Sequence, residues 1–249
     1  MRYLNLIIYF ILISTNSFAQ KNQKKIEIIN ADFTYVNNKS HPDYWRLIGN
    51  VNIRHNQTDM FCDSAHYFSE REKIIAYENV KVKNGDSINI SGNILNYDGE
   101  NKVAIISKNV ILLNKENILN SQRLIYNIQK NKISFNSLSE IFKGNQKISA
   151  KKGIYHTESR TYEFNDSVNY YNNNYKIITD HLISDEKNKI TLLKGPSEIL
   201  FDNKVVFCEE AYLFEKENKA EFFKKASLKT DKYISVSYTH LRAHETRNN

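Results

Sequence analysis

The chain has 249 residues, 41% of them hydrophobic and 25% charged, which excludes a disordered polymer and describes a globular one. With only 2 Pro and 7 Gly it lacks the residues of Gly-rich turns, so Asn and Asp are expected to serve the turns. The formal charge of +7 admits an anionic partner, but the cations form no single run, which argues against nucleic acid; Lys, Asn and Ile are enriched together, as AT-rich codon usage would produce.

The chain opens with a short positive start (Met1, Arg2) and a nearly unbroken apolar stretch from Tyr3 to Ile13. Ser14 to Ala19 then reads STNSFA, with small Ser17 and Ala19 at the −3 and −1 positions of a cleavage site before Gln20. Residues 1–19 therefore read as a secretory signal peptide. The apolar stretch is short of the roughly 20 residues a membrane helix needs, and no other run approaches that length, so the chain is expected to be exported and not membrane-spanning. No Cys follows the cleavage site, so no lipid anchor is expected there.

From residue 27 onward the sequence repeats. One column holds Tyr67, Tyr97, Tyr126, Tyr155, Ser184 and Leu213, at spacings of 29 or 30. Two residues before it runs a small or apolar column: Ala65, Leu95, Leu124, Gly153, Leu182 and Ala211. A third column holds Tyr77, Ile106, Phe135, Phe164, Leu193 and Phe222, and a fourth runs from Val51, Val80 and Val110 to Ala226. Polar turns such as DGENK (98–102) separate them. Within a unit, apolar and polar residues alternate with period two, as in Ile88-Asn89-Ile90-Ser91, which is a strand signal.

Each unit thus supplies two strands, which predicts about fourteen strands between residues 27 and 235 and almost no helix. Such units can stack as a parallel solenoid or as an antiparallel meander folded into a two-walled, twisted trough. Either arrangement aligns the apolar columns in one interior and leaves unpaired edges at both ends. A bulge near the Asn-Val positions would switch which alternate face points inward, so the columns are candidates for lipid contact or for plain core. The candidates are Tyr67, Leu95, Tyr97, Ile106, Leu124, Tyr126, Phe135, Phe164, Leu193 and Phe222.

Cys62 and Cys208 stand five units apart at the same repeat position, on the order of 45 Å at about 4.8 Å per strand, too far for a disulfide. The repeat ends before Val236: residues 236–249 share no feature with the units and read like a translated sequencing adapter, so this tail is expected to be disordered and the natural protein longer.

The phrases Gly-Asn-Val (49–51), Cys-Asp-Ser-Ala (62–65), Gly-Asp-Ser-Ile (85–88) and Leu-Asn-Tyr-Asp (95–98) together resemble the OstA-like family, similar to the LptA-type domain of lipopolysaccharide transport. The resemblance spans roughly residues 27–235, one OstA/LptA-like β-repeat region or two successive units within 20–235. It implies an all-β fold, a twisted antiparallel β-jelly-roll or "taco". It also implies a periplasmic carrier or bridge, free in the periplasm or associated with the outer membrane, whose trough holds the acyl chains of lipopolysaccharide (lipid A). Its partners would be other Lpt-type proteins joined by edge-strand pairing.

The seven His are scattered, and the sequence has no H-E-x-x-H, C-x-x-C, G-x-S-x-G or P-loop. Asp63, Asp86 and Asp98 fall at strand starts and turns; Asp63 and Asp86 could work as an acid–base pair only if folding joined them. No catalytic residue, metal site or cofactor is therefore expected. Two other readings stand beside the carrier: a structural or adhesive repeat protein that binds by edge-strand addition, and a polysaccharide-active β-helix.

Overall fold

A computed structural model describes residues 25–36, 43–115, 117–232, 234–237 and 240–244. The signal-like segment 1–19 and residues 245–249 of the tail lie outside them. The first strands are β1 (Glu27–Asn30), β2 (Phe33–Tyr35), β3 (Trp45–His55), β4 (Thr58–Phe68), β5 (Lys73–Asn84), β6 (Ile88–Asp98) and β7 (Val103–Asn114). The middle holds β8 (Asn117–Asn127), β9 (Lys132–Phe135), β10 (Ser139–Lys143), β11 (Gln146–Ala150), β12 (Lys152–His156), β13 (Thr161–Tyr171) and β14 (Lys176–Asp185). The last are β15 (Ile190–Phe201), β16 (Lys204–Phe214), β17 (Lys219–Phe223), β18 (Ala226–Lys229), β19 (Ile234–Ser237) and β20 (His240–His244). Among the described residues the only helical element is a 3-10 turn at Ser69–Arg71.

All twenty strands belong to one sheet, and the ladders are antiparallel between chain neighbours, as in β3–β4, β4–β5 and β15–β16. This is the meander rather than the parallel solenoid. Several short strands are halves of one long strand broken in the middle: β8 pairs with β9 through its second half and with β10 through its first. Counted this way, fourteen long strands lead up to Lys229, as the repeat predicts.

The break recurs at the same level across the sheet, with the extra residue on alternate strands. Registers slip between Ile48 and Val51, Tyr77 and Val80, Ser107 and Val110, Asn165 and Val168, and Lys194 and Ser197. The chain there enters the left-handed region, at Gly49-Asn50, Glu78-Asn79, Lys108-Asn109, Asp166-Ser167 and Gly195, and it does so again at Lys224-Lys225 between β17 and β18. This is the bulge anticipated at the Asn-Val positions, and it creases the sheet along a median line. Among the described residues Asn and Asp supply eight of the eighteen non-glycine left-handed residues, and Lys, Glu, Arg and Ser supply the others; nine of the eighteen lie at the crease and nine in hairpin turns. At the crease, packing on both sides holds residues such as Glu78 and Lys108 where local preference would not.

The crease divides the sheet into two arms. The tyrosine arm carries the columns of Tyr67 and Ile106, and the valine arm carries the column of Val51, Val80 and Val110. In alternate strands the buried parity switches at the crease, from Cys62 to Ala65 in β4 and from Ser121 to Leu124 in β8. The inner faces of both arms therefore form a single apolar core, from Ile26 to Ala226. At about 1.5–3 kcal/mol for each large aliphatic or aromatic side chain taken out of water, this interior is the main stabilising element.

The tail departs from expectation. Ile234–Ser237 pairs with β18, and His240–His244 pairs with β17. A sheet edge offers unpaired N–H and C=O groups to any extended backbone, so strand addition there does not require the repeat's side-chain pattern.

Candidate functional site

The candidate site is the interior between the two arms and the seam that closes it. All ten candidate residues lie on the inner face of the tyrosine arm, and all are buried. Tyr67, Tyr97 and Tyr126 stand near the hairpin ends of that arm, with Leu95, Leu124, Ile106, Phe164 and Leu193 deeper toward the crease. Phe222 closes the column in β17. Phe135 pairs with Gly153, and a Cβ on that glycine would lie 2.3 Å from the ring's Cζ, so the absent side chain makes room for the ring. Tyr77 is a correction: the 30-residue step between Tyr67 and Tyr97 puts Ala76 inside, and Tyr77 turns outward against His66, with ring centroids 5.5 Å apart.

The two walls touch. Leu95, Ile106, Leu124, Phe164 and Leu193 are each 0% exposed, which leaves no open groove along them. The facing wall is built from Ile53, Val82, Ile90, Leu112 and Ile177 of the valine arm, all likewise buried.

At the hairpin ends the arms are joined by side chains. His55 Nδ1 lies 2.7 Å from the Tyr97 hydroxyl, and Asn84 Nδ2 donates to the Tyr126 hydroxyl at 2.6 Å. Asn114 Nδ2 donates to the Tyr155 hydroxyl, and Asn117 Nδ2 donates to Tyr162 at 3.2 Å. Each bond runs from the valine-arm end of one strand to the tyrosine-arm end of a later one. In a flat sheet, strands of eleven residues would hold those ends about 30 Å apart or more. The bonds therefore require the sheet to be folded over along its crease.

The middle of the seam is more polar. Glu186, only 6% exposed, accepts from Asn117 at 2.6 Å and lies 3.2 Å from Lys143 Nζ and 3.8 Å from Arg160 Nε. Two cations and an amide thus compensate a carboxylate that burial would otherwise disfavour. Burial raises the phenol pKa values of Tyr97, Tyr126, Tyr155 and Tyr162 above their ordinary range, so these phenols stay protonated across the neutral range.

Sequence reasoning found the tyrosine half of the seam and missed the other half. The signal was present: His55, Asn84, Asn114 and Lys143 each stand four residues after the valine column and recur at spacings of 29 or 30. Cys62 and Cys208 are both free and buried, as the repeat arithmetic predicts. They occupy equivalent places beside the crease, paired with Val51 and Ser197. Asp63 accepts from Asn79 at the crease, whereas Asp86 lies in the β5–β6 hairpin turn. Among the described residues no three His, Cys, Asp or Glu side chains converge as a metal site would require. No helix among them is long and apolar enough to cross a membrane.

The family described as OstA-like protein matches residues 23–180. The repeat continues past this match through β15, β16 and β17. No curated protein matches the chain. One solved structure is that of LptH from Pseudomonas aeruginosa, described as the LptA homologous periplasmic component of the conserved lipopolysaccharide transport device. It is 11% identical and aligns over 58% of this chain and 84% of its own, with a TM-score of 0.26, a likeness too slight to carry an argument.

Proposed function

The chain belongs to the OstA-like protein family, and on that premise we propose that it is a periplasmic carrier or bridge for lipopolysaccharide, holding acyl chains between its two arms. One observation carries the reading: the apolar interior is continuous across the whole sheet, yet its hairpin-end seam is closed by side-chain hydrogen bonds rather than by a backbone ladder. Each such bond contributes only about 0.5–1.5 kcal/mol, so the arms can part at the seam while the crease acts as a hinge. Every acyl CH₂ that enters gains about 0.8 kcal/mol, which offsets the wall-to-wall contacts given up. Lys143 and Arg160 at the seam would meet lipid phosphates there.

The N-terminal edge suits a partner of the same transport type. Phe33 and Tyr35 of β2 are exposed on an edge strand whose outer side is unpaired among the described strands, a template for strand addition. The same edge would serve a purely adhesive protein, so the interior has to be tested first.

Photocrosslinking from Phe135, with Tyr97 and Ile106 as further positions, tests the interior directly. Purified lipopolysaccharide is offered, with phospholipid alongside. Selective adducts with lipopolysaccharide are expected. Failure at all three positions in a folded protein would make the columns closed core and favour the adhesive role.

A further inference from the structure

Outside the interior, exposed apolar side chains are unevenly distributed. Among the described residues outside the edge strands, the exposed large apolar residues are Trp45, Ile111, Leu113, Ile118, Leu138, Tyr171, Ile178 and Phe207. All but Trp45 and Leu138 lie on the outer face of the valine arm. The corresponding row of the tyrosine arm, through Ile105, Ile125 and Ile154, is only half-exposed.

The valine-arm residues are joined by strand register. Leu113 pairs with Ile118, Ile118 with Phe142, Phe142 with Lys147, Lys147 with Tyr171, and Tyr171 with Lys176. The row continues through Leu200 and Val205 to Lys229. From Leu113 to Val205 it crosses eight strands, about 34 Å at the ordinary strand spacing. It carries Lys147, Lys176 and Lys229 and no carboxylate. Glu140, ion-paired with Lys147 at 2.8 Å, and Glu198, between Ile178 and Phe207, stand one row inward, and Asp202 stands in the β15–β16 turn beyond Leu200.

The cations sit over the rings. Lys147 Nζ lies 5.4 Å from the Phe142 centroid, and Lys176 Nζ lies 5.3 Å from that of Tyr171. Lys83 stands similarly over Phe61 on the same arm, at 5.6 Å. Apolar bodies with ammonium groups at the same depth are the chemistry of a membrane interface, where lysine stems lie in the apolar layer and their heads meet phosphates. A protein partner would have to strip water from those lysines, and lysine is depleted from the cores of protein interfaces.

We propose that the outer face of the valine arm docks on an anionic lipid leaflet, with Leu113, Ile118 and Tyr171 entering the interface and Lys147 and Lys176 pairing with headgroup phosphates. This inference is independent of what the interior holds.

Vesicle flotation with the purified protein tests it, using phosphatidylcholine vesicles with and without phosphatidylglycerol. The protein is expected to float with the anionic vesicles and to be released by salt. K147Q/K176Q is expected to weaken that binding by about thirtyfold. L113S/I118S is expected to weaken it as well, with the melting temperature of either variant unchanged because all four side chains face outward. F33S/Y35S, at the N-terminal edge, is expected to bind as the parent does. Equal binding to neutral vesicles, no loss in K147Q/K176Q, loss only in F33S/Y35S, or no flotation of the folded protein would each overturn the proposal. Crosslinking from Phe135 does not depend on this surface, so the two readings fail separately.

Discussion

His55 Nδ1 and the Tyr97 hydroxyl lie 2.7 Å apart although they stand at opposite ends of strands three apart in the sheet. That bond, with its repeats at Asn84–Tyr126 and Asn114–Tyr155, makes the seam a row of separate polar latches. Removing one phenol leaves its amide partner at a boundary where water can replace the lost bond. Tyr126→Phe is therefore expected to cost about 1 kcal/mol in urea denaturation, with unchanged secondary structure by circular dichroism. Asn84→Leu should cost a similar amount, and the double variant less than the sum. Strict additivity would show that the pair is not coupled.

The buried phenols predict sensitivity to alkali. Tyr97, Tyr126, Tyr155 and Tyr162 have pKa values raised by burial. A group that holds its proton more tightly when folded contributes its full stability below the unfolded pKa, about 10 for tyrosine, and loses it as pH rises further. Stability is expected to hold to about pH 10 and fall above it, with phenolate absorbance of these tyrosines appearing together with unfolding. Phenolates forming in the folded protein near the ordinary tyrosine pKa would contradict the burial.

The thiols should be inert. Burial pushes the Cys62 thiol up to about 12 and the Cys208 thiol up to about 11. The thiolate is the reactive form, so neither cysteine is expected to react with a disulfide reagent in the native protein at neutral pH. Both should react in denaturant without prior reduction; a requirement for reduction would mean that they are bridged.

At Gly153 the Phe135 ring occupies the space a side chain would need. Gly153→Val is expected to destabilise by about 1–3 kcal/mol through overpacking. Phe135→Leu in the same chain should recover part of that loss, which thermal melts of the three variants would show.

Much of this architecture was legible in the chain, and the illegible part has a physical cause. Tyr97, Tyr126 and Tyr155 are spaced by 29 residues, so the period and the inner tyrosine column could be read directly. The crease could be located at the Asn-Val positions, but its effect on parity could not, because the strands with the inserted residue keep their buried parity (Leu47 to Val51) while their neighbours switch it (Cys62 to Ala65). The repeat pattern points Tyr77 inward, but one unit is a residue longer, so the neighbouring Ala76 takes the inner position. The seam partners His55, Asn84 and Asn114 are polar residues outside the apolar columns, and only the folded sheet brings them to the phenols. The strand at His240–His244 is set by backbone pairing at an edge, a property that its side chains do not advertise.

The central claim is that the arms part along the seam to admit acyl chains. Cysteines at positions 84 and 126, with Cys62 and Cys208 replaced by Ala, would allow a thiol-to-thiol crosslinker spanning the seam to lock one latch, and further pairs at 114 and 155 would lock the next. Uptake of lipopolysaccharide would then be measured in locked and unlocked protein. The account predicts that the locked protein takes up none while the unlocked protein does. Equal uptake by a fully crosslinked protein would contradict it, because the lipid would then be held somewhere other than between the two arms.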